Sequence, residues 1–217
     1  MAQQARAVAT RRQIALCGAQ VFDRLGYYGA RVEEIVAGAR ITKGALYFHF
    51  GSKDGLAQWI IREQRGMAAA STAAIAATDA SALEQVVMLC HEMVRQIVTD
   101  PIVRAGIRLT VELGWSGTDD GGPSDPYNAW TAGCTRFVER AIEQGDVADT
   151  VSAPVLARHL ICAVAGAQLV SRMRTFLEDL DRYVDEMWAV LLPGIVPAAR
   201  HDRIGSVSSA RWCAAGV

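Results

Sequence analysis

The stretch Val32-Glu33-Glu34-Ile35-Val36-Ala37-Gly38-Ala39-Arg40-Ile41-Thr42-Lys43-Gly44-Ala45-Leu46-Tyr47-Phe48, residues 32–48, decides the fold. Val32 to Gly38 predicts a short helix, Ala39-Arg40-Ile41 breaks it tightly, and Thr42 stands where a hydroxyl can cap the next helix, Lys43 to Phe48. Upstream, Ile14, Cys17, Val21 and Phe22 recur at helical spacing and Gly26 follows as a stop, which predicts a first helix over Val8 to Leu25. Downstream, Gly51 ends the third helix. Ser52 caps a fourth that runs through Leu56, Trp59, Ile60 and Glu63 to about Ala77. Leu46, Phe48 and Phe50 are expected on the core side of the third helix. No strand signal competes in this half of the chain.

The same pattern continues beyond Asp79. Ser81 can cap a helix to about Thr99, Pro101 opens another toward Leu113, and Gly114 stops it. The segment GWSGTDDGGPSDP, residues 114–126, is too rich in Gly, Asp, Ser and Pro to hold a packed helix and is expected as a mobile loop. Helices follow at Tyr127 to Gln144, Ala153 to Thr175 and Asp181 to Leu192, with Gly145 and Pro193 as stops. The tail after Pro197 lacks apolar periodicity and is expected to fray. The expected architecture is all-α with about nine helices: a helix-turn-helix domain over 1–52, a helical body over 53–197 and a flexible tail over 198–217.

Composition narrows the classes. With 217 residues and 51% hydrophobic content the chain can bury a sizeable core, which excludes a disordered protein. Its longest apolar runs, such as Leu160 to Val170, are interrupted and fall short of the roughly 20 residues needed to span a bilayer, so no membrane segment is expected. The N-terminus carries no export signal, and a cytoplasmic location is expected. Five cysteines (Cys17, Cys90, Cys134, Cys162, Cys213) are widely spaced and unpaired in pattern, so free thiols are expected rather than a disulfide framework or a metal site. His49, His91, His159 and His201 have no local partner at catalytic spacing, and no nucleophile elbow, phosphate loop or dinucleotide fingerprint is present. Neither an enzyme nor a cofactor is expected. The net charge of −1 conceals an asymmetry: through Gly55, eight basic residues face four acids, leaving +4 there and −5 on the remainder. A basic module on an acidic body suits a polyanionic partner at one end.

Two short helices joined by a three- or four-residue turn form a helix-turn-helix, whose second helix enters the major groove of DNA. Lys43, in the first turn of that helix, can reach a guanine edge or a phosphate, and Thr42 can offer its hydroxyl. Gly44 lets the helix approach the groove wall. Tyr47 and His49 can donate to phosphate oxygens, Lys53 adds a charge at a helix N-terminus, and Arg11, Arg31 and Arg40 complete the expected DNA-binding set. The ordered combination of Gly26-Tyr27, Ile35, the run Thr42 to Phe50 and Ser52-Lys53-Asp54-Gly55-Leu56 resembles the signature of the TetR family of regulators over residues 10 to 56. Two positions depart from it: Arg31 stands where the family commonly has a threonine cap, and Arg40 where it commonly has a glycine in the turn.

The resemblance implies that the remaining helices form an effector cavity and a dimer interface. Ala163, Gly166 and Ala167 on one helix, with Met187, Trp188 and Leu191 on the last, are the expected material of a homodimer, which would match the paired half-sites of a pseudo-palindromic operator. Within the family, Arg104 to Leu109, Trp130 and Glu186-Met187-Trp188 look like the γ-butyrolactone receptors of actinomycetes, which release DNA on binding a small lactone or butenolide and control antibiotic production. That resemblance implies a repressor with a lactone-like effector, with Trp130 lining the cavity. Gln64, Thr131 and Cys134 are the polar candidates for ligand contact. A receptor-like regulator that responds to an antibiotic or a biosynthetic intermediate is the alternative. In either case the fourth helix, carrying both Lys53 and Gln64, would link effector to DNA.

Overall fold

The computed structural model describes residues 2–113 and 126–213, so the loop expected over 114–126 lies, but for its last residue, outside the described residues. Helices account for nearly all of the described chain: α1 (Ala2–Gly29), α2 (Val32–Ala39), α3 (Lys43–Phe50), α4 (Lys53–Ala76), α5 (Ala82–Thr99), α6 (Pro101–Leu113), α7 (Pro126–Glu143), α8 (Ala153–Thr175), α9 (Leu180–Ile195) and a short α10 (Ile204–Ser208) preceded by a 3-10 turn. The start signals act through the atoms expected of them. Thr42 Oγ1 accepts the Ala45 N–H at 3.2 Å and Ser52 Oγ accepts that of Gly55 at 2.9 Å. Ser81 and Glu84 form a reciprocal capping box, and Asp100 Oδ1 accepts the Ile102 N–H at 2.8 Å behind Pro101.

The described residues fall into two compact units, 2–69 with 99–113, and 70–98 with 126–213. In the first, Ile14, Phe22, Ile35, Leu46, Leu56, Ile60 and Leu109 are fully buried, so α1, α2, α3, the larger part of α4 and α6 share one core. This core sets the face that α3 turns outward.

α1 does not stop at Gly26; it breaks there and continues for one turn to Gly29. Gly26 has φ 73° and ψ 178°, a region open essentially to glycine alone. The Tyr27 N–H left over by the break is taken by Glu112 Oε2 of α6 at 2.6 Å. Around it, Arg104 Nε meets Asp23 Oδ2 at 2.8 Å, Arg108 Nη1 donates to the Asp23 carbonyl at 2.7 Å, and Arg108 Nε bonds Glu112 at 2.6 Å. The Arg104–Leu109 stretch singled out in the sequence thus carries two of the three side chains that clasp α6 to α1.

In the second unit Leu83, Val87, Val138, Leu160, Val184, Trp188 and Leu192 are buried together. Glu92, 4% exposed, is fully occupied: Ser71 Oγ, Gln96 Nε2 and Arg95 donate to it. Pro193, expected as a stop, lies inside α9, which ends at Ile195 with the Val196 N–H bonded to Leu192 O at 3.0 Å. Pro193 forfeits only its own bond to the previous turn, close enough to the end for the helix to finish. The described residues after Pro197, in a tail expected to fray, are tied down. Val207 is buried, Arg200 and Arg203 both donate to the buried Asp146 carboxylate, and Arg211 Nη2 meets Asp185 at 2.6 Å.

Gly26→Ala should therefore lower the free energy of unfolding by about 2 kcal/mol in urea titration, since its Cβ would also stand 2.6 Å from Glu112 Oε2. Gly66→Ala, with open space around it in α4, should instead gain about 0.5–1 kcal/mol. Arg40 closes α2 at φ 53° and ψ 45°, a left-handed conformation that costs an L-residue about 1–2 kcal/mol. Arg40→Gly should relieve part of it and raise the urea midpoint, and an unchanged or lower midpoint would disprove the strain.

Candidate DNA-binding surface and effector-facing residues

The turn between α2 and α3 is built from backbone: the Arg40 N–H reaches Ala37 O at 3.1 Å and the Ile41 N–H reaches Val36 O at 3.0 Å. Ile41 packs against the core while Arg40 is exposed. α2 starts at Arg31 with no side-chain cap, so replacing the family's threonine leaves a helix end uncapped by any side chain. From this turn α3 buries Leu46 and packs Phe50 against the core.

On its outer side Thr42, Lys43, Gly44, Tyr47 and Phe48 are exposed. Phe48 corrects the sequence expectation, for it is 83% exposed rather than core-facing, with its ring edge-on to His49 at 5.2 Å. Leu46 and Phe50 are four residues apart and share a face, whereas a residue two positions from each points away. That spacing could have found Phe48 as part of the outward surface, where an aromatic can pack on a thymine methyl. His49 itself is half-buried, and Tyr47 is 48% exposed. Lys43 Nζ rests on Glu33 Oε1 of α2 at 2.5 Å.

Two further cations differ in what they do. Arg11 is exposed, its guanidinium 5.4 Å from the Phe50 ring and 5.7 Å from that of Trp59. Lys53, expected as a point charge toward DNA, turns inward. Its Nζ donates to Tyr27 O at 3.0 Å and Ala30 O at 3.2 Å and lies 4.2 Å from the Tyr27 ring centroid. The ammonium satisfies carbonyls left open where α1 ends at Gly29.

The effector candidates fall in different units. Gln64 on α4 is 3% exposed, with its Oε1 lacking a partner among the described residues. α6 approaches it through Gly106, where a Cβ would stand 2.6 Å from Gln64 Cβ. In the second unit Trp130, Thr131 and Cys134 are half-buried on α7, Trp130 and Cys134 one turn apart. Burial pushes the Cys134 thiol up to about 11, and the Cys90 thiol is raised by burial and by Cys134, so both stay protonated at neutral pH. All five cysteines are free, but Cys162 and Cys213 are exposed rather than packed among apolar neighbours.

Trp188 does not stand ready for a partner. It is fully buried, and its Nε1 has no hydrogen-bond partner among the described residues. The apolar face left open belongs to α8, with Val155, Leu169, Val170, Met173 and then Phe176 exposed. By length and composition alone α8 would also pass for a membrane-crossing helix, which the broken apolar runs had argued against.

Comparison with known proteins agrees with this arrangement. Residues 18–60 match bacterial regulatory proteins of the tetR family, and residues 80–197 match the tetracyclin repressor-like C-terminal domain. The A-factor receptor protein of Streptomyces griseus is 38% identical over 195 residues, 90% of this chain and 67% of that protein. The CprB structure from Streptomyces coelicolor in complex with its operator superposes with a TM-score of 0.83 at 32% identity, covering 94% of this chain and 97% of that one. A crystal structure of an ArpA-like γ-butyrolactone receptor gives 0.79 at 31% identity over 94% and 96%. With both of its domains matched and the helix-turn-helix in place, the chain belongs to the TetR family of DNA-binding transcriptional regulators.

Proposed function

We propose that this regulator is a homodimeric hormone receptor that holds a pseudo-palindromic operator and releases it on binding a γ-butyrolactone or butenolide. The observation that carries the reading is the 38% identity, sustained over 90% of the chain, to a protein named as the A-factor receptor. The outward side chains of α3, with Arg31, Arg40 and Arg11, are the DNA-contacting set, and Phe48 joins them.

Each unit by itself carries a feature suited to a small amphiphilic molecule. Trp130 offers a large, half-buried apolar surface on the same face as Cys134. Gln64 supplies a buried acceptor without a partner, and such a group is costly unless something donates to it. As placed, that oxygen fits a ligand hydroxyl; a lactone carbonyl would need the amide turned end for end. The apolar side chains left open along α8 support a second copy of the chain as their cover, since dimeric regulators match paired half-sites.

The test uses the full-length protein and a duplex that it selects from a random pool, titrated with synthetic γ-butyrolactones and butenolides. Release of the duplex by one of them is the expected result, and retention against every one overturns the hormone reading in favour of another effector. Trp130→Ala, with Trp130→Phe as the milder variant, should keep affinity for the duplex and lose the response by tenfold or more in effector concentration, about 1.4 kcal/mol of differential binding. Equal release from mutant and wild type at each concentration would remove Trp130 from the cavity.

A further inference from the structure

The first cation of the recognition helix is already engaged. Lys43 Nζ donates to Glu33 Oε1 at 2.5 Å, with the two side chains 53% and 62% exposed. Glu33 lies in the first turn of α2 beside Glu34, with Arg31 two positions before it, and all three are exposed. Both carboxylates suit the positive end of α2, but of the two it is Glu33 that holds Lys43. In a helix-turn-helix the first helix crosses the phosphate backbone while the second enters the groove, so the approaching DNA meets Glu33 on its phosphate side.

The pairing has opposite consequences on two kinds of DNA. On a non-cognate duplex no guanine edge stands in register opposite Lys43, and the acceptors within its reach are phosphates. Lys43, neutralised by Glu33, releases no counterion there, and pulling it free leaves an uncompensated carboxylate beside a polyanion. On a cognate duplex a guanine presents O6 and N7 together in the major groove, two acceptors that can replace one carboxylate oxygen. We propose that Glu33 is a specificity-determining residue of the DNA-binding site, holding Lys43 away from non-cognate phosphates and yielding it only to a base edge. The hydrogen bond to Lys43 also keeps the Glu33 carboxyl below the usual carboxylate range, and that to Glu33 raises the Lys43 ammonium, so both remain charged at neutral pH. The inference rests on α3 being the recognition helix.

The test compares wild type, Glu33→Gln, Glu33→Ala, Lys43→Met and the Glu33→Gln/Lys43→Met double variant, all full-length. Each is titrated by fluorescence anisotropy against the duplex selected by wild type and against a shuffled duplex of the same length and composition, at several salt concentrations. Both Glu33 variants should bind the shuffled duplex several-fold more tightly with little gain on the selected one, so that the specificity ratio falls. For the shuffled duplex the slope of log affinity against log salt should steepen by about 2, one further phosphate contact from each protomer of the dimer. In the Lys43→Met background, Glu33→Gln should leave the ratio where Lys43→Met alone puts it. Equal tightening on both duplexes, no change on either, or a fall in the ratio that persists without Lys43 would each overturn the proposal. Failure of wild type to select any duplex would instead overturn the recognition-helix reading on which it rests.

Discussion

The break in α1 at Gly26 is the constraint on which the first unit depends. A helix interrupted there leaves a donor at the Tyr27 N–H, and its end one turn later leaves acceptors at the Tyr27 and Ala30 carbonyls, groups that are expensive to leave unmet in partly buried surroundings. Glu112 of α6 meets the donor and Lys53 of α4 meets the acceptors. One irregular turn is thus completed by side chains from two helices, and these same helices carry Gln64 and Gly106 against each other. A change in the packing of α4 on α6 acts at the base of α2 without any other intermediary. If the proposed effector contacts Gln64, its binding would have a route to α2 within a single unit.

The residues proposed to contact DNA illustrate a conflict between local stability and binding. Arg31 sits at a helix start without capping it, and Arg40 occupies a left-handed position that glycine would fill at less cost. Each substitution adds a positive charge beside the recognition helix while weakening the element that presents it. Proteins hold such compromises where activity outweighs the stability forgone. Glu33 opposes that trend. Its pairing with Lys43 means that the basic patch is graded, with the cation best placed for the groove the least free to grip any phosphate.

The helices were legible in the sequence because their ends are written in local chemistry. Thr42, Ser52 and Ser81 each act through a backbone neighbour within four residues, and α8 spans the residues expected of it. What was not legible depends on distant partners. Lys53 could have reached solvent as easily as two carbonyls; only the end of α1, more than twenty residues away, decides between them. Trp188 reads as interface material beside Met187 and Leu191, but its burial is set by the other helices of its unit. Phe48 is a different case, since the 46–48–50 spacing carried the answer and a strand-like period of two was applied to a helix.

The end of the chain carries a last consequence. Asp146 lies 3% exposed at the exit from α7, and its carboxylate is met by Arg200 and Arg203 from the 3-10 turn, while Arg200 Nη1 also donates to Gln144 O at 2.9 Å. A protease or premature stop that removed the residues after Pro197 would strip a buried anion of both its counterions, a far heavier penalty than losing a solvent-exposed appendage. A chain cut before Arg200 would therefore carry an unneutralised buried carboxylate in its second unit and spend more of its time unfolded, where proteases reach it.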